Sequence, residues 1–152
     1  MIKNIELLHK SFEITKKYYD YQIIAICVMQ NHIHMLLSLQ KSEELPQIIR
    51  TIKQNFTKLV PLEYYPSEIS ESLKKRNEKG IWQRRYYDHV IRDEKDLFKH
   101  IDYIHYNSMK HYNIAPKDWM FSTFNKFVKN NFYNENWCNY EDKNNISKME
   151  LE

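Results

Sequence analysis

The sequence predicts an α+β domain, on three observations. Its start is a polar stretch in which Ile5, Leu8, Phe12 and Tyr19 recur at helical spacing. The run that follows, Gln22 to Val28 (QIIAICV), is continuous, apolar and rich in β-branched residues, as in a strand covered on both faces. Beyond it, Leu45, Ile48, Ile49, Ile52, Phe56 and Leu59 return to a period of 3.6. The 152 residues suffice for one domain with a buried core, residues 1–140, and a short tail, residues 141–152.

Each element has a local reason. The first helix runs from about Asn4 to Tyr19, and the first strand from Gln22 to Val28. Met29, Gln30 and Asn31 form a polar break. From His32 to Leu39 the pattern alternates, so that His32, His34, Leu36 and Ser38 share one face of a second strand and complete a hairpin. Ser42 caps a second helix whose first turn tolerates Pro46 and whose polar face carries Arg50, Lys53 and Lys58. Pro61 to Gly80 reads as a long connection. Ile81 to Ile91 (IWQRRYYDHVI), aromatic and β-branched, is expected to contain another strand. Asp93 caps a third helix to about Lys110, with Asp96 in its first turn and Leu97, Ile101 and Ile104 facing its core. After Pro116, the aromatics Trp119, Phe121, Phe124 and Phe127 mark a short extra helix or packed arm. The Asn-rich, acidic end is expected to fray after about Tyr140.

Composition narrows the function. With Gly80 as the single glycine, no glycine-rich phosphate loop of the P-loop or dinucleotide type is possible, because such turns need several residues without a Cβ. The net charge of +3 is small but unevenly spread. Lys74 to Arg92 holds seven basic residues against two acidic ones, and Asn131 to Glu152 holds two against five. The basic middle is either a polyanion surface or a solvated face. Two cysteines make no disulfide framework, and Cys27 lies within an apolar run, which suits a reducing compartment. No stretch has transmembrane length and the start lacks an apolar signal core, so a cytoplasmic protein without a membrane partner is expected.

Two pairs of residues can carry chemistry. His32 and His34 project from one strand face and can offer two imidazoles to a divalent ion; alone, such a pair is more often an ordinary surface or core feature. Tyr103 and Asn107 lie one turn apart on the third helix, on a face shared with Lys99 and Lys110. A tyrosine there can be a nucleophile and an asparagine carbonyl a third ligand, but among twelve tyrosines most serve packing. Arg50 and Lys53, with Trp82, Arg84, Arg85 and Arg92, supply cations for phosphates and an aromatic platform for bases.

Three blocks carry a resemblance. VMQNHIHMLLSL resembles the metal-binding strand of HUH single-tyrosine transposases. WQRRYYDHVIRDEKDLFKHIDYIHYNSMKH is similar to the block that marks the REP-associated tyrosine transposases within that superfamily, and APKDWMFSTFNKFVKNNFYNENW to their C-terminal segment. The blocks keep the family's order over about Ile2 to Trp137. The resemblance implies a ferredoxin-like antiparallel sheet with helices on one face. It further implies Mg²⁺ or Mn²⁺ held by His32, His34 and Asn107, and a Tyr103 nucleophile that cleaves single-stranded DNA beside a hairpin through a 5′-phosphotyrosine. The residues depart from the family pattern in four places. Ser108 follows Asn107 where the family has proline, Tyr112 stands where it has glycine, Gln30 precedes Asn31 where it has proline, and the usual first strand is lacking. Local distortion is expected at the first three, and a homodimer is expected from the last. An inactive hairpin-binding protein, and a structural or RNA-processing domain with an accidental H-x-H, are the competing readings.

Overall fold

The computed structural model describes residues 1–138 and has the expected α+β composition, with a two-stranded antiparallel sheet. The expected fraying tail lies outside the described residues. By its internal contacts the chain divides into two compact units. One is built from Met1–Ile2, Gln22–Ser38 and the chain from His89 onward; the other from Lys3–Tyr21 and Leu39–Asp88.

The second unit contains α1 (Ile5–Lys16) and α2 (Leu45–Leu59), which pack together. Their apolar stripes explain the pairing: Leu8 and Phe12 on α1, and Ile48, Ile49, Ile52 and Phe56 on α2, are all buried. Pro46 sits at the start of α2, where its missing N–H costs nothing. The connection that follows carries a short helix, α3 (Glu71–Lys75), capped by Ser70. Gly80 is needed there, because its φ is +73° and a Cβ would meet Ile69 Cγ2 at 2.8 Å.

The first unit is organised on the hairpin of β1 (Tyr21–Val28) and β2 (Ile33–Leu39), closed by Met29 N–H donating to the His32 carbonyl at 2.9 Å. The longest helix, α4 (Glu94–Tyr112), lies in the same unit. Asp93 caps it as expected, its Oδ1 accepting from Asp96 N at 2.8 Å. The core joins Ala25 and Cys27 of β1 to Ile101 and Ile104 of α4, with Leu36 of β2 against them. Burial pushes the Cys27 thiol up to about 12, so it behaves as the inert apolar residue that the sequence suggested.

Helix α4 differs from the one-faced helix expected. Every residue from Tyr103 to Met109 is buried. The C-terminal segment accounts for this: Trp119, Phe124 of the short α5 (Phe124–Lys129) and Tyr133 join the core, while Tyr106 and Met109 pack on Cys138. The same segment borders β1, where Val28 N–H donates to the Phe121 carbonyl and Thr123 N–H to the Ile26 carbonyl.

The strand expected within Ile81–Ile91 is not formed. Its aromatic and β-branched residues suit a strand, but a strand needs a ladder partner, and among the described residues the sheet contains β1 and β2 only. Gln30 and Tyr112, where distortion was expected, are joined, and the helix is regular at Tyr112. Helix α4 continues through Tyr112, and Asn113 adopts the left-handed capping conformation (φ 56°) that a glycine would otherwise supply. The Tyr112 hydroxyl then accepts from the Gln30 backbone N–H at 3.2 Å, a donor that proline lacks.

Candidate metal and tyrosine site

Within the first unit, the entry of β2 and one face of α4 bring the two candidate pairs together. His32 and His34 are edge to face, their rings 4.9 Å apart. The His34 ring meets the Tyr103 ring at 5.5 Å, again nearly perpendicular. His34 of β2 faces Tyr103 of α4, His32, one residue before the strand, faces His111, and the 3.6-residue period of α4 sets Asn107 one turn beyond Tyr103.

The donor set fits a divalent ion. His32 Nδ1 lies 2.7 Å from Asn31 Oδ1, a contact in which the ring nitrogen donates and which orients the ring. Asn107 is fully buried. Its Nδ2 donates to the Tyr103 carbonyl at 2.7 Å, and its Oδ1 is buried without a hydrogen-bond partner. A buried carbonyl oxygen left unsatisfied is costly, and coordination to a cation satisfies it. Two imidazoles and an amide oxygen suit a hard or borderline ion and not a thiolate-type structural zinc site.

Two further residues converge here: Lys110, which the sequence placed on the face of Tyr103, and His111, which the residue pattern did not single out. Lys110 Nζ donates to the Tyr103 hydroxyl at 2.9 Å and lies 4.9 Å from its ring centre, so an ammonium touches the phenol oxygen. His111 brings its ring to 5.1 Å from that of His32. The signal for His111 was present, since it follows Asn107 by one helical turn, but that spacing carries meaning only once the entry of β2 is seen to face it.

The expected DNA-contacting residues are spread over both units. In the second unit Arg50, Arg84 and Arg85 are exposed. Lys53 and Trp82 interlock there: Trp82 Nε1 donates to the Lys53 carbonyl at 3.1 Å, Lys53 Nζ donates to the Gln83 carbonyl at 2.9 Å, and the indole packs against Phe56. Partial burial lowers the Lys53 pKa. In the first unit the exposed Arg92 lines an open groove of about 260 Å³ with His89, Asp93, Lys95, Asp96 and Lys99. His89 has a structural place in that groove, its Nε2 2.7 Å from Asp96 Oδ2, and this contact, ahead of the Arg92 N–H bond, holds the Asp96 carboxyl below its ordinary pKa. Among the described residues no helix is long and apolar enough to cross a membrane.

Comparison with known proteins identifies the family. Residues 3–107 match the family described as Transposase IS200 like. The chain is 38% identical over 135 residues to a Haemophilus influenzae protein assigned to the REP-associated tyrosine transposases, covering 88% of this chain and 76% of that one. It is 30% identical to the REP-associated tyrosine transposase of Escherichia coli K12, with 88% and 72% covered. A solved REP-associated tyrosine transposase bound to a REP hairpin superposes with a TM-score of 0.71 at 27% identity, over 90% of this chain and 74% of that chain. A fold and a sequence shared with these proteins, with a buried tyrosine beside the strand histidine His34, place the chain among the IS200-like transposases, in the branch of the REP-associated tyrosine transposases.

Proposed function

We propose that this protein is a metal-dependent single-strand DNA endonuclease and strand transferase that acts beside hairpins of the REP type, with a second copy of the chain as its partner in assembly. One observation carries the reading: Tyr103 is held between His34 and Lys110, one turn from an asparagine whose buried carbonyl oxygen lacks a protein partner. The solved relative bound to a REP hairpin supports hairpin DNA as the ligand class.

Tyr103 attacks the scissile phosphorus. A bond forms between the phenol oxygen and phosphorus, the bond from phosphorus to the 3′ oxygen breaks, and the phenol proton ends on that oxygen by way of solvent. The product is a 5′-phosphotyrosine with a free 3′ hydroxyl. Because the covalent link conserves the phosphodiester's energy, another 3′ hydroxyl can reverse the step and join strands without ATP. Lys110 stabilises negative charge on the phenol oxygen during attack and again when that oxygen leaves. Asn107 ties its side chain to the Tyr103 carbonyl, so the nucleophile and the amide ligand move together. When bound by His32, His34 and Asn107, Mg²⁺ or Mn²⁺ supplies Lewis-acid polarisation of the phosphate. Arg50, Arg84, Arg85 and Arg92 neutralise backbone phosphates, with Lys53 and Trp82 beside the first three in sequence order.

Incubation with a hairpin oligonucleotide carrying a single-stranded flank, in the presence of Mn²⁺, tests this. A covalent protein–DNA adduct is expected, reduced about a thousandfold or more in Tyr103→Phe, while hairpin affinity is retained. Tight binding without an adduct in the native protein favours the inactive hairpin-binding reading instead.

A further inference from the structure

We propose that His111 is a third imidazole ligand of the metal site, an inference that rests on the reading of His32, His34 and Asn107 as its core. The nitrogen donors of His32, His34 and His111 lie within 4.8 Å of one another. Opposed ligands of a first-row ion at about 2.1 Å are separated by about 4.2 Å, so only a small closure brings all three into one coordination sphere. Ring orientation agrees. The His32 ring is inclined 87° to that of His34 and 73° to that of His111, which allows their in-plane lone pairs to converge. A second trio in the chain, His89, Asp96 and His100, serves as a contrast: its imidazoles stack 13° from parallel, so their lone pairs run side by side, and both rings contact the Asp96 carboxylate instead.

The backbone fixes His111 for this role. It stands one turn beyond Asn107 on the same face of α4, and the helix runs through Tyr112 before the Asn113 cap, so His111 belongs to a regular turn. The site therefore extends from the buried Asn107 oxygen to the exposed His111 ring. Three imidazoles with one amide oxygen form a nitrogen-rich set that favours the later first-row ions over Mg²⁺.

Electron spin-echo modulation of the Mn²⁺-loaded protein counts the coordinated imidazole nitrogens directly and requires no catalysis. Three imidazoles are expected in the native protein and two in His111→Ala. Mn²⁺ affinity in that variant should fall roughly 10- to 100-fold, and the preference for Mn²⁺ over Mg²⁺ should shrink with it. Circular dichroism of His111→Ala should match the native protein, since the replaced ring is exposed. If Mn²⁺ binding is lost in His32→Ala but His111→Ala leaves both the affinity and the nitrogen count unchanged, the His111 assignment is overturned and the core site stands. If the native protein binds no Mn²⁺, both fall.

Discussion

Ser108 shows how a single substitution in the family pattern leaves a trace. Its hydroxyl is buried within α4 and has no hydrogen-bond partner, at a position where the resemblance led to the expectation of proline, which carries no hydroxyl. Replacing it with alanine removes the unsatisfied group and improves helix propensity, so Ser108→Ala should stabilise the protein by about 1 kcal/mol. Urea unfolding with an unchanged m-value measures this; a loss of stability would show that the hydroxyl has a role that its surroundings do not reveal. At this scale the sequence was informative wherever one element determined direction. The two-residue period of β2 aligned His32 with His34, and one helical turn aligned Tyr103 with Asn107. The contact of Lys110 with Tyr103 follows the helical period too, whereas His111 meets His32 at the entry of β2, about 80 residues earlier, and no local period contains that contact.

At the scale of elements, α1, the hairpin, α2 and α4 were legible from their apolar patterns, helped by the polar break of the hairpin and the Asp93 cap of α4, whereas Ser42 sits in a separate turn and does not cap α2. The strand within Ile81–Ile91 was not, because propensity describes a residue's fit to a pleated surface and says nothing about whether a neighbour exists to pair with. Turns were hidden for another reason. With one glycine available, Asn77, Asn113 and Asn131 take left-handed conformations, and asparagine does so at a cost small enough to escape a search for glycine. The junction of β1–β2 with the end of α4 offers a test. If the Gln30–Tyr112 hydrogen bond compensates for the two departures, Gln30→Pro and Tyr112→Phe should couple by about 1 kcal/mol in a double-mutant cycle. The phenylalanine keeps the ring stacked on Trp119, which isolates the hydroxyl. Simple additivity would remove the compensation argument.

For the molecule as a whole, acid sensitivity should originate on the buried side of α4. His105 is enclosed by Phe124, Phe127 and Tyr133, with Nε2 2.9 Å from Thr123 Oγ1, and Asp102 is held behind the Tyr133 hydroxyl. Burial lowers the His105 pKa from 6.5 to about 4. The unfolded chain therefore takes up this proton first, and stability is lost as pH falls from about 6.5 to about 4, by at most about 3 kcal/mol. The melting temperature of the native protein should drop more steeply over that window than that of His105→Gln; parallel curves would exclude His105 as the cause. The way the C-terminal segment seals β1 also sets an order in time. Thr123 bonds to Ile26 across 97 residues, while every residue of the second unit, through Asp88, precedes that segment. During synthesis at roughly 5–20 residues per second, the second unit is complete while the edge of β1 waits several seconds for its cover. A nascent chain stalled before Trp119 would thus present a finished helical pair alongside a hairpin still open to aggregation.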